Sequence, residues 1–219
     1  MVVCLACTPG ASSAQQAVHD DVALFTQYMS AEWIGAIVYH GADPADDPRW
    51  HLSGARTREE YRRWCRHACG MACLQMVLDH RDGQAPPLLE LVHGCRTYGG
   101  YVEDDSGQIK GLYYDPFAAY ARAEHGLHAD VHPHLAAAEI PQLLADGHLV
   151  IASVDKEIRR PDLPAPGRGG HLVLITGHDH GEFRLHNPSG HTADARQASL
   201  PVAVFASYFA GRGIAVRTH

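Results

Sequence analysis

The run CGMACLQMVLDH, residues 69–80, carries few polar side chains and neither glycine nor proline after Gly70. It reads as a helix that is apolar on most sides, and such a helix must be enclosed by other elements. A chain of 219 residues with 46% hydrophobic content can supply that enclosure as one sizeable core. Residues 1–54 give no clear pattern and are expected to be an N-terminal extension packed on a domain spanning 55–219.

Within that domain the punctuation is legible. TREEYRRW starts a helix, with Thr57 as cap and Glu60 completing a capping box. Asp82-Gly83 and Pro86-Pro87 end the apolar helix. PLLELVHGCRTYGG is a further helix, and DPFAAYARAEHG another, with Pro116 at its first helical position. HLAAAEIPQLLADG reads as a helix to Gly147, followed by the short β-branched strand HLVIASV. After the loop RRPDLPAPGRGG, HLVLITGHD and GEFRLHNPSG form an antiparallel pair turning at HDHG. LPVAVFASYFAG is helical and GIAVRT is a final strand. Helices early and strands late predict an α+β fold, with an N-terminal helical part packed on a C-terminal antiparallel sheet.

The formal net charge is −7 and no lysine- or arginine-rich block occurs, so nucleic acid and anionic membranes are not expected partners. No apolar run approaches the roughly 20 residues of a bilayer span. The start, MVVCLACTPGASSAQQ, lacks a basic region and a full apolar signal core, although Cys7 leaves a lipoprotein signal open. A cytoplasmic location is expected. There the six cysteines would be free thiols, whether buried, catalytic or metal-bound.

Cys65, Cys69 and Cys73 recur every fourth residue, which puts them on one stripe of a helix. A structural zinc site needs four ligands, and neither CLAC at 4–7 nor HDH at 178–180 completes one at a recognised spacing. No metal and no cofactor are therefore expected. Position separates the three thiols. Cys69 precedes Gly70 at the helix start, where unpaired N–H groups and the helix dipole favour a thiolate. Cys65 lies before that start, and Cys73 lies one turn inside, where a packed thiol is the expectation. Cys69 is thus the candidate nucleophile, with a packed core cysteine as the alternative.

A cysteine nucleophile needs an imidazole base, and the base an orienting group. His171 follows the glycine-rich GRGG and opens an apolar strand. Asn187 closes the paired strand, just before Pro188. An antiparallel pair brings both to the same end of the sheet.

Three segments in this order, CGMACLQMVL, GGHLVLITGHD and FRLHNPSG, resemble the papain-like peptidases that process bacteriocins at double-glycine leaders, together with their stand-alone relatives. The resemblance covers roughly residues 65–190. It implies a papain-like fold, with Cys69 as nucleophile, His171 as base and Asn187 as orienter. Two departures stand out. The family has a glutamine about six positions before the cysteine as an oxyanion donor, but Arg63 falls near that place and no glutamine lies between Gln27 and Gln75. Arg63, Arg66 or the backbone N–H of Cys69 are the candidate replacements. The orienter is Asn where the bacteriocin-processing members have Asp. Trp64 and Tyr98 are candidates to line a substrate cleft, with core packing as the alternative. Each of His178, His180 and His186 is expected to be structural.

The expected function is a thiol hydrolase cleaving a peptide or amide bond through an acyl-enzyme. The first alternative is an acyltransferase or amide-forming enzyme using the same residues on a peptide or small acyl or amide substrate. An idle binding module and a metal protein are the remaining readings. The oligomeric state is not legible. Brief iodoacetamide treatment is expected to label Cys69 ahead of the other five cysteines; mass spectrometry showing Cys65 or Cys73 labelled first would overturn the assignment.

Overall fold

The computed structural model describes residues 17–218. The possible lipoprotein Cys7 and the CLAC pair at 4–7 lie outside the described residues. The apolar run forms α3, Cys69–Asp82, with every residue from Gly70 to Leu78 buried. Burying Met71, Leu74, Met76, Val77 and Leu78 contributes about 1.5–3 kcal/mol each. The helix stops where Gly83 takes the left-handed conformation at φ 72° and its N–H bonds the Asp79 carbonyl at 2.7 Å.

On one side α3 packs against other helices. These are α2 (Arg58–Cys65), α4 (Leu88–Thr97) and α5 (Tyr114–His125), preceded by the short α1 (Ile34–Tyr39). On the other side lies an antiparallel sheet of seven strands. Its strands are β1 (Ala17–Val18), β4 (His128–His132), β5 (His148–Val154), β6 (His171–Asp179), β7 (Glu182–His186), β8 (Gln197–Pro201) and β9 (Phe209–Arg217). The order across the sheet is β4-β9-β5-β6-β7-β8, with β1 also on β6. β2 (Tyr101–Glu103) and β3 (Ile109–Gly111) form a separate hairpin.

Side chains alternate between the sheet faces, and both faces are covered. Leu149, Ile151, Leu172 and Leu174 join the α3 core, while Val150, Ala152, Val173 and Ile175 join a second core. That second core is closed by α6 (Ile140–Ala145) and α8 (Val202–Tyr208); the short α7 (Ala193–Arg196) precedes β8. Double coverage explains why β5 is buried at every position.

Four boundaries differ from the sequence reading. Glu60 accepts a bond from the Arg56 N–H at 2.7 Å, so the box closes one residue early, although Thr57 caps Glu60 N–H as expected. α5 begins at Tyr114, which puts Pro116 third; its missing N–H still falls among the unpaired donors of the first turn. The segment before β5 is a 3-10 turn, Ala137–Glu139, and only then α6, because Pro141 cannot donate within a helix interior. The last helix ends at Tyr208, and β9 starts at Phe209, opposite Val154.

Residues 17–54 share the main core: Val22, Tyr28, Ile34 and Ile37 pack in the same cluster as α3. They are tied to α2 by the buried Asp47, which accepts from Ser30 N–H (3.0 Å), Ser30 Oγ (2.5 Å), Tyr61 Oη (2.7 Å) and Arg49 N–H (2.9 Å). Burial pushes the Asp47 carboxyl up, but these donors together hold it below its ordinary value near 3.8. A depressed folded value contributes stability above the unfolded pKa, and that stability is lost as pH falls through the folded value. Asp47→Ala is expected to cost about 2–4 kcal/mol at neutral pH, because it leaves buried donors unpaired. In urea titrations the gap to the parent protein should shrink as pH falls below the ordinary carboxylate value near 3.8; a gap independent of pH would show that the carboxylate charge is not what holds this segment.

Candidate active site

Cys69 is the first residue of α3, and no side chain caps this helix start. Its sulfur meets the backbone N–H groups of Leu172, Gly70 and Cys69 itself. Leu172 belongs to β6, so the packing of α3 on the sheet that buries its apolar face also brings β6 against the thiol. His171, the residue before Leu172, opens β6 opposite Val154. Cys69 and His171 line one cavity of about 150 Å³, together with Arg66, His67, Ser153 and Arg212.

The β6–β7 pairing explains how His171 meets Asn187. The strands turn at His180 and Gly181, both with positive φ, and pair from Asp179–Glu182 back to Leu174–His186. Asn187 follows β7 directly and is fully buried. Its Oδ1 lies 2.8 Å from His171 Nε2. The same oxygen accepts from Ser189 N–H (3.0 Å) and Ser189 Oγ (3.2 Å). Ser189 Oγ is also 2.9 Å from His171 Nε2 and accepts from Arg159 Nε at 2.9 Å. This tight loop needs Gly190, since a Cβ there would come within 2.4 Å of the Ala195 backbone.

Ser189 and Arg159 had no assigned role in the sequence reading. Ser189 stood in the quoted HNPSG, and a hydroxyl two residues past the orienter was the available signal. Arg159 is almost fully buried, and only the chain fold brings it here. Gln27 lies far before Cys69 in the sequence and was not among the donor candidates. The structure holds it between the site's two halves: its backbone N–H bonds Pro188 O (2.9 Å) and its Nε2 bonds Cys65 O (2.9 Å). Its Oε1 is buried with no partner among the described residues.

The other sequence candidates divide. Arg66 lines the cavity. Arg63 does not, which corrects the expectation that it approaches the sulfur. α2 turns Tyr61, Trp64 and Cys65 inward, so Arg63 faces out, pairing with Glu103 and the Gly107 carbonyl. Trp64 is likewise no part of the cavity lining. It is buried with its ring edge-on to His93 and Tyr101, and the Arg96 guanidinium lies 5.6 Å from its ring centre. Tyr98 is surface-exposed and bonds Glu124. His178 packs on Phe183, His186 contacts Gln197 and His180 occupies the turn. Among the described residues no cluster of three metal-ligating side chains occurs.

A crystal structure of a C39-like peptidase from Bacillus anthracis matches 92% of this chain and 97% of its own, with a TM-score of 0.54 and 12% sequence identity. The chain has the papain-like fold of such peptidases. Two transporter-linked domains also match. One is the peptidase domain of Streptococcus ComA, a bifunctional ABC transporter of a quorum-sensing pathway, at 12% identity and TM-score 0.46, covering 68% of this chain and 90% of that one. The other is a double-glycine-motif protease from an AMS/PCAT transporter, in complex with its leader peptide, at 19% and 0.44, covering 68% and 82%. No family model and no curated protein matches the sequence. Identities this low make the likeness one of fold. Among the described residues no helix is long and apolar enough to cross a membrane.

Electrostatics separate the thiols around this cavity. Burial pushes Cys65 up to about 12 and Cys73 well above its ordinary value. Burial also raises Cys69, although the three N–H groups and the Arg159 charge oppose it. Burial and then the Arg159 charge lower His171 to about 3, against the Asn187 bond. Both directions favour a resting pair of neutral thiol and neutral imidazole over an ion pair. The early expectation of fast alkylation near neutral pH is thereby refined. The rate of Cys69 alkylation is expected to keep climbing up to and beyond pH 9, the ordinary thiol value, as the thiolate forms; a flat rate from about pH 4 upward would show a pre-formed ion pair instead.

Proposed function

We propose that this protein is a cysteine hydrolase that cleaves a peptide or amide bond, with Cys69 as nucleophile, His171 as base and Asn187 as orienter. The observation that carries the reading is the 2.8 Å bond between His171 Nε2 and Asn187 Oδ1, made while His171 shares a cavity with the Cys69 thiol at a helix start. With Nε2 engaged, Nδ1 is the nitrogen that takes the thiol proton as sulfur attacks the carbonyl carbon. The C–N bond then breaks and the imidazolium returns its proton to the leaving amine. Water, deprotonated by the same nitrogen, releases the acid from the acyl-enzyme.

The developing oxyanion needs donors. The backbone N–H of Cys69 is one. Gln27 is our candidate for the second, in place of the arginines considered from the sequence. One of its two amide hydrogens is committed to Cys65 O, one turn before the nucleophile, and the other remains to be offered.

The test is incubation with a degenerate peptide mixture read by mass spectrometry. Cleavage is expected with the parent protein and not with Cys69→Ala. Gln27→Ala should lower kcat by about 10²–10³ with little change in KM, and Asn187→Ala should lower kcat while Cys69 remains alkylatable. Cleavage that survives Cys69→Ala would overturn the proposal. Added hydroxylamine separates hydrolysis from acyl transfer, because an amine-accepting site would divert the acyl group to the hydroxamate in preference to water.

A further inference from the structure

We infer that the cavity recognises a carboxylate on the substrate, held beside the scissile bond by Arg66 and Arg212. This rests on the cysteine-hydrolase reading and names the substrate class for the same site. The chain as a whole is acidic, with a net charge of −7, yet the cavity around Cys69 and His171 is lined by two arginines and by no Asp or Glu. Elsewhere the arginines nearest acidic groups are paired, as in Arg63–Glu103, Arg96–Glu103 and Arg160–Glu157. Arg66 and Arg212 make neither an ion pair nor a side-chain hydrogen bond among the described residues.

They reach the cavity from different elements. Arg66 follows the end of α2, three residues before the nucleophile, whereas Arg212 stands on β9, across β5 from β6. A Cβ on Gly169, two residues before His171, would sit 3.3 Å from Arg212 Nη2 and 3.3 Å from Ser153 Oγ. The guanidinium therefore lies against the loop that leads into the base. Arg212 also lines a neighbouring pocket of about 620 Å³ walled by Leu112, Tyr114, Val131 and Pro133, where Asp115 is the one carboxylate. The resulting surface has two unpaired cations on the cavity lining they share with the thiol, and an apolar wall beside them. It suits an acyl or peptide substrate bearing a carboxylate within a residue or two of the scissile bond and an apolar group next to it. The carboxylate can come from an acidic side chain or from a chain terminus.

Two alkylating probes test this without knowledge of the substrate. Iodoacetate and iodoacetamide transfer similar groups to sulfur and differ in charge. The ratio of their rates on Cys69, divided by the same ratio on 2-mercaptoethanol, is expected to exceed unity by roughly fivefold or more, since one unscreened charge near 4 Å is worth about fivefold in water. Arg66→Gln and Arg212→Gln should each lower the ratio several-fold, as should added salt. Arg122→Gln, on the exposed side of α5, should not. All three side chains are exposed, so folding is not at stake. A ratio near unity, with Cys69 reacting readily with iodoacetamide, would overturn the carboxylate site and leave the thiol site standing. Failure of Cys69 to react with either reagent would instead overturn the reading beneath it. Peptide sets separate the two sources. Preferred cleavage of amidated peptides containing Asp or Glu points to a side chain, and preferred cleavage near the free end of neutral peptides points to a terminus. Equal cleavage of neutral amidated peptides would count against both.

Discussion

The enclosure of α3 decides where everything else can be. A helix with no polar face cannot rest on a surface, so helices close it on one side and the sheet on the other. Its first residue is left at the edge of that contact, where β6 runs past. The Leu172 N–H consequently meets the Cys69 sulfur, and His171 stands one residue away. The meeting of Cys69 and His171 is a consequence of hydrophobic packing between two elements far apart in sequence. A displacement of α3 on the sheet would cost core contacts and site geometry together.

The site is also drier than a surface dyad. Burial acts on Cys69 and His171 in opposite directions, raising the acid and weakening the base, and both movements keep the pair uncharged. Arg159 adds a buried positive charge that favours the thiolate and disfavours the imidazolium. Its hydrogen bond to Ser189 Oγ fixes a hydroxyl that shares Asn187 Oδ1 with the histidine. Asn187 Oδ1 therefore has three donors around it, and rotation of Asn187 would break bonds to two residues.

The segment before α3 contributes more than cover. Asp47 fastens residues 30–49 to Tyr61 on α2, and Gln27 bridges the Asn187 loop and the α2 terminus. The resemblance implies a glutamine about six positions before Cys69, on a short connection. Here α1, three short 3-10 turns and α2 intervene, and the chain returns to the site only after folding. Arg63 occupies the expected spacing but faces solvent, since an α-helix that buries Tyr61, Trp64 and Cys65 must turn its neighbour outward.

The sequence by itself determined the enclosed helix, the helix-then-strand order, and Cys69, His171 and Asn187 as the residues to bring together. Each of these follows from local pattern: apolar continuity, turn residues at HDHG and NPSG, and a thiol at a helix start. Strand ends were legible where glycine and proline mark them, and misplaced at Phe209, where apolar continuity reads equally as helix or strand. Tertiary structure alone decided which side chains accompany the pair. Gln27, Ser189, Arg159 and Arg212 come from four separate segments, and no spacing rule links them. Burial, which sets the protonation of Cys69 and His171, is likewise a property of the assembled core, because it depends on how many atoms from distant segments exclude water from one place.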